Sequence, residues 1–365
     1  MAEGGSTRPE RQSDAARLLL AAARERFAVA ATDLLLPDRA RLTEWQRLTA
    51  AALLTRLVRG LEDELRARLA ERFESHEALH AALSSARVPI ALPILERAQV
   101  LRDSELSNVL VRRVEEHRYW KAHAPAAGGD DLLFLLVRDA DEEVAAEAME
   151  LIVARSRRFD RFQEPAMGEI ELPAELQHKL VWMVAAALRH YIVQHHRLPA
   201  VDAAIEETAS AMIGAYDEGA TLEARAVRLA RRLHGAGRLD GELLGRTLSE
   251  GMLPFFIAGI GALAGLDYGA AWEVLADPRG RGPALLLRAA AVPREAAAAI
   301  LLLLSSRGPL VSGAEGDAAA EQLELFDTLD ESAARDVLRL WQAHPAYRAS
   351  VARISTRARP SVEAA

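Results

Sequence analysis

The sharpest chemical signal in the chain is His76-Glu77-Ala78-Leu79-His80. It matches H-E-x-x-H, in which two histidines one helical turn apart hold zinc and the glutamate activates the metal-bound water. A catalytic zinc also needs a third protein ligand. No further histidine extends the motif, and Glu96 and Glu105, whose spacing is possible, sit among ordinary surface charges. Peptidases of this kind lay substrate along a sheet edge, which this chain has almost no strand-forming residues to build. The segment therefore reads as two exposed histidines on a helix, with no metal or cofactor expected. A zinc-dependent hydrolase using His76, Glu77 and His80 is the competing reading.

Other constellations are weaker. Glu175-x-x-His178 has the spacing of half a di-iron site, but such a bundle needs a second pair and two more glutamates. His190 stands five and six residues from His195 and His196, which does not place them on one helical face, so core or surface histidines are expected. Asp277-Pro278-Arg279-Gly280-Arg281-Gly282-Pro283 leads into a helix, where glycines can form an anion nest. Its order matches neither a phosphate loop nor a dinucleotide fingerprint, so a plain turn is the reading. Gly251, Gly259, Gly261 and Gly265 accompany the most apolar stretch, beside Phe255 and Phe256. A mid-helix glycine costs roughly 1 kcal/mol relative to alanine. Close approach of a neighbouring helix offsets that cost; a pocket for an apolar small molecule is the other use of such space.

The elements that position these residues must be helices. Half of the 365 residues are hydrophobic but only 5% are aromatic, Ala and Leu dominate, and alternating β-type runs are nearly absent. An all-α fold follows. Leu53–Glu71 overlies Leu132–Glu150 without a gap at an offset of 79, with Leu53/Leu132, Leu57/Leu136, Val58/Val137 and Glu64/Glu143 among the identities. Such internal similarity marks stacked helical repeats, and three steps of about 26 residues would make a four-unit array.

The chain then divides into a disordered N-terminus (1–13), a helix and connection (14–43), a short HEAT-like array (44–155), an irregular linker (156–172), a C-terminal helical bundle (173–345) and a frayed tail (346–365). Thr43 and Gln46 read as a capping box. The array is expected as helix pairs over 44–73, broken near Gly60, over 75–98, and over 104–123, the last capped by Asp103 or Ser104. A last pair over 131–155 turns at Arg138–Asp141. His123–Asp130 and 307–319 read as loops.

Two stretches carry a resemblance. The first, Arg87–His117, contains Val88-Pro89-Ile90-Ala91-Leu92-Pro93-Ile94-Leu95-Glu96, then Val100-Leu101-Arg102-Asp103-Ser104-Glu105-Leu106, then His117. The second, Leu248–Pro293, contains Gly251, Phe255-Phe256, Leu263-Ala264-Gly265-Leu266, Leu275-Ala276-Asp277 and Leu285-Leu286-Leu287-Arg288-Ala289-Ala290. Across residues 45–305 the chain resembles an uncharacterised, mainly alphaproteobacterial family defined by domain of unknown function 2336. The resemblance implies a helical, HEAT-like protein and brings no catalytic residue set.

The formal net charge of −8 argues against a general nucleic-acid binder, which needs a basic footprint. The lack of cysteine removes disulfides, thiolate nucleophiles and cysteine zinc sites. The N-terminus lacks the apolar core of a signal peptide, and the apolar run Met252–Leu266 is too short to cross a bilayer. A soluble cytoplasmic protein with no membrane span is expected. The sequence thus favours a non-enzymatic scaffold or regulatory adaptor with a protein partner, bound along one face of 76–82, 104–112 and 131–137. The zinc hydrolase and a sensory module holding an apolar molecule near Phe255–Gly265 are the alternatives. Oligomeric state is open.

Overall fold

A computed structural model of the chain describes residues 42–85, 88–123, 131–159, 171–196, 198, 201–277, 280–306 and 317–357. The expected disordered N-terminus, the helix within 14–43, most of both linkers, the core of the 307–319 loop and the end of the tail lie outside those residues. The fold is all-α: the described residues form seventeen α-helices and no strand. The first eight are α1 (Glu44–Arg72), α2 (Glu77–Ser84), α3 (Ala91–Arg97), α4 (Ser104–His123), α5 (Leu132–Leu136), α6 (Glu142–Arg158), α7 (Ala174–His196) and α8 (Asp202–Ala215). After a 3-10 turn come α9 (Leu222–Gly235), α10 (Gly241–Ser249), α11 (Leu253–Ala264), α12 (Tyr268–Leu275), α13 (Gly282–Ala289) and α14 (Arg294–Ser306). The last three are α15 (Asp317–Thr328), α16 (Glu331–Leu338) and α17 (Pro345–Arg357).

The sequence divides the chain into successive bodies at 156–172, but the contacts group it differently. One compact unit combines Thr43–Val114 with Arg158–Thr221; the other combines Glu115–Arg157 with the stretch from Leu222 onward. The first unit is interleaved because of what α1 needs. Leu53, Leu57, Leu61, Leu65 and Leu69 form a buried stripe along it, and that stripe is covered by α2, α3, α7 and α8. Each such leucine contributes roughly 1.5–3 kcal/mol when fully buried, which outweighs the cost of closing a long intervening loop, since that cost grows only slowly with length. From the other side α7 supplies Leu180, Val181, Val184, Leu188 and Ile192.

Local signals hold well. Thr43 Oγ1 accepts from the Gln46 amide at 3.2 Å while Gln46 Oε1 accepts from the Thr43 amide at 2.7 Å, completing the capping box. Asp103 Oδ1 accepts from the amides of Glu105 and Leu106, both at 2.9 Å, and caps α4. The break expected at Gly60 does not occur: α1 runs straight through it. The two similar segments also take different courses. Leu53–Glu71 lies within one helix, whereas Leu132–Glu150 folds as α5, a corner, and the start of α6. They are therefore not equivalent units of one array.

The second unit is built around α11, nine of whose twelve residues are buried, and which packs most extensively on α9. A ladder of ion pairs runs antiparallel between α6 and α9: Glu150 with Arg225 at 3.1 Å, Glu147 with Arg228 at 3.1 Å, and Asp141 with Arg232 at 3.4 Å. Beyond α9, Arg238 Nη1 reaches Asp139 Oδ1 at 3.0 Å. Solvent-accessible rungs of this kind, many of them half-buried, contribute about 0.2–1 kcal/mol each. They orient the helices more than they hold them.

Candidate functional site

A buried ion pair joins three helices of the first unit. Glu62 and Arg66, one turn apart on α1, have side chains 1% and 4% exposed and lie 3.1 Å apart. Glu62 Oε1 accepts from the Ile90 amide at 2.7 Å and Oε2 from the Ala91 amide at 3.0 Å, so its charge sits on the N-terminus of α3. Arg66 donates to the carbonyls of Ala82 at 2.7 Å, Leu83 at 3.0 Å and Val88 at 3.1 Å, and also to Ser85. It thereby caps the C-terminal end of α2. Each charge meets the favourable end of a helix and satisfies backbone groups that have no intrahelical partner. One turn of α1 holds two helix ends in place.

The H-E-x-x-H segment is displaced from the geometry its spacing implies. The helix begins at Glu77, and His76 is its N-cap, with φ −108° and ψ 79°. His76 Nδ1 lies 3.2 Å from Ser75 Oγ, and its ring meets Phe73 edge-on at 6.0 Å. His80 Nδ1 lies 3.1 Å from the Ala70 carbonyl, so that nitrogen carries the proton and donates. Glu96 and Glu105 are exposed on α3 and α4. Among the described residues no group of three or more His, Asp or Glu side chains is placed to hold a metal ion.

The other candidates resolve into packing. On α7, His195 and His196 lie against the Tyr191 ring, at 4.7 and 5.7 Å, and Glu175 is exposed. In the turn before α13, the Asp277 carboxylate accepts from the Arg281 amide at 3.0 Å, filling the place an external anion would take. Pro278 and Arg279 lie outside the described residues. A side chain at Gly282 would start 1.7 Å from the Val274 carbonyl oxygen, so only glycine fits there. On α11, a Cβ at Gly259 would come 2.7 Å from Leu244, and one at Gly261 would come 3.1 Å from the Leu266 carbonyl oxygen. These glycines serve close approach, and Phe255 and Phe256 beside them are buried.

What the sequence did not single out is an open groove of about 450 Å³ in the first unit. One wall is α3 and the turn after it, with Ile94, Leu95, Arg97, Ala98 and Val100; the other is α7, with Met183, Ala186, Ala187 and His190. The α7 residues recur at intervals of three and four, so they line one helical face. Trp182, 42% exposed, stands one turn before Ala186. At the margins Lys179 pairs with Asp103, and Arg189 forks onto Asp202 with Nη2 to Oδ2 at 3.2 Å. Burial pushes the Asp103 carboxyl up, but Lys179 and the amides of Leu106 and Glu105 outweigh it and hold the group below its usual range. An apolar groove with a few polar edge groups has the composition of a ligand-binding surface.

A model of a bacterial family described as an uncharacterised conserved protein, DUF2336, matches residues 126–339. The chain belongs to that family. The DUF2336 match takes in the Leu248–Pro293 stretch but not Arg87–His117, so it is displaced toward the C-terminus from the 45–305 span of the resemblance. The α7 wall of the groove falls inside the DUF2336 region, and the α3 wall falls before it. No curated protein and no solved structure matches the chain. Among the described residues no single helix is long and apolar enough to cross a membrane; α11 and α12 pass that test only as a pair, bent by 101°.

Proposed function

We propose that this protein is a non-enzymatic interaction module, a scaffold or adaptor that takes an apolar segment of a protein partner into the groove between α3 and α7. The observation that carries the reading is the groove itself, lined by aliphatic side chains of α3, the turn after it and α7; Trp182, 42% exposed, lies one helical turn before Ala186. Exposed tryptophan beside an aliphatic cleft is the composition of an interface anchor rather than of a solvated surface. The surface expected from sequence, along 76–82, 104–112 and 131–137, draws on residues of both compact units. The groove draws on one unit only, and Glu62 holds the N-terminal end of its α3 wall.

The test compares the full-length protein with Ala186→Arg. Ala186 is exposed, so a long charged side chain there blocks the groove without entering the core. Partners cross-linked to the wild type in a bacterial lysate are expected to disappear with the variant, while circular dichroism and thermal midpoint stay unchanged. An identical partner set from both proteins would remove the groove from the function.

A further inference from the structure

Resting on the groove as the docking site, we infer the chemistry of its occupant: an amphipathic helical segment whose apolar stripe is flanked by carboxylates. The floor runs along α7 from Met183 to His190, two helical turns, or about 10 Å at 1.5 Å per residue. That length matches anchors at i, i+3 or i+4, and i+7 on a partner helix, the usual pattern of a helix laid in a groove. Ala98, Ala186 and Ala187 keep the walls low, so the large side chains have to come from the partner.

The edges decide the charge. Arg97 on the α3 wall and His190 on the α7 wall are both exposed. Among the described residues Arg97 has no carboxylate within ion-pairing distance, and neither does Arg102, exposed two residues beyond the groove-lining Val100. Two cations of α7 are by contrast neutralised within the chain, Lys179 by Asp103 and Arg189 by Asp202. Glu96, beside Arg97 in sequence, is exposed but does not line the groove. In a chain of net charge −8, Arg97 keeps its charge uncompensated among the described residues. Docking desolvates Arg97, and that loss is made good only if the partner brings an acid. A basic or purely apolar helix leaves the guanidinium buried and unpaired.

The experiment uses the full-length protein and two fluorescent synthetic helical peptides of about 16 residues, long enough to be partly helical alone. They share one leucine–alanine stripe, flanked by glutamates in one and by lysines in the other. Fluorescence anisotropy is expected to show the glutamate peptide binding at least about tenfold more tightly. Arg97→Glu should erase or reverse that preference, and added salt should narrow it. Ala186→Arg should abolish binding of both peptides. Equal affinity for the two peptides, binding of neither, or a preference that survives Arg97→Glu would overturn the acidic occupant. If Ala186→Arg leaves binding intact, the groove reading fails instead. Self-association of the wild type that Arg97→Glu dissolves would put a second copy in the groove and would likewise overturn the proposal.

Discussion

Leu53–Glu71 and Leu132–Glu150 carry eight identical residues at the same spacing, yet one lies within an unbroken helix and the other forms a helical corner. The divergence begins where Gly60-Leu61-Glu62 faces Asp139-Ala140-Asp141. Asp139 Oδ1 accepts from the Asp141 amide at 3.0 Å, and Asp141 Oδ1 accepts from the amides of Glu143 at 3.0 Å and Val144 at 3.3 Å. Short carboxylates compete with the helix for its own backbone donors and start a new one. Glu62, one methylene longer, reaches away from α1 to the amides of Ile90 and Ala91. Leu57 and Leu136, Leu65 and Val144, and Leu69 and Ala148 are nevertheless buried alike. A shared apolar register says which residues go inside; it does not say whether the backbone between them bends.

The comparison breaks most visibly at Arg66, whose counterpart is Ala145. Arg66→Ala strands a buried carboxylate and several carbonyls, so denaturant unfolding should show a loss of about 3–5 kcal/mol. A loss under 1 kcal/mol would mean that water reaches Glu62. Next come Leu61, 1% exposed, and its exposed counterpart Ala140. Leu61→Ala should cost about 2–5 kcal/mol, whereas Ala140→Leu should stay within about 0.5 kcal/mol; similar effects at both sites would erase the distinction. Gly60 has open space around a built Cβ. Gly60→Ala should therefore stabilise by about 0.5–1 kcal/mol, read as a higher thermal midpoint.

The smallest effect concerns Asp139. Hydrogen bonds from Arg238 and from the Asp141 amide hold its carboxyl below the usual range. With the folded value below the unfolded one, its stabilisation is present above the unfolded value near 4 and is lost as pH falls through the folded value. Arg238 is exposed, so Arg238→Ala should cost only about 0.3 kcal/mol at neutral pH. That difference should vanish when thermal midpoints are compared at strongly acidic pH.

Much of the fold was legible because its signals are local. Thr43 with Gln46, Asp103 before α4, and the turn at Arg138–Asp141 announce themselves within four residues. Gly259 and Gly261 were legible as points of close approach, since their helix cost demands a reason. The Glu62–Arg66 pair was not: on paper it is an ordinary surface pair one turn apart, and the groups it binds are backbone atoms of 82–91. The groove was hidden for a related reason. Ala186 and Ala187 look like any helix alanines until α3 is set beside them, and no local pattern records that neighbour. The interleaving of the units depends on contacts between distant stretches, which no short motif encodes.

That interleaving has a consequence for the order in which the molecule is made. The apolar stripe of α1 leaves the ribosome with α2 and α3, but α7 and α8, which complete its burial, follow only after the 76 residues between Arg97 and Ala174. At 5–20 residues per second the wait is on the order of ten seconds. For that interval Leu53 through Leu69 form a half-covered surface on a nascent chain, a natural target for a chaperone.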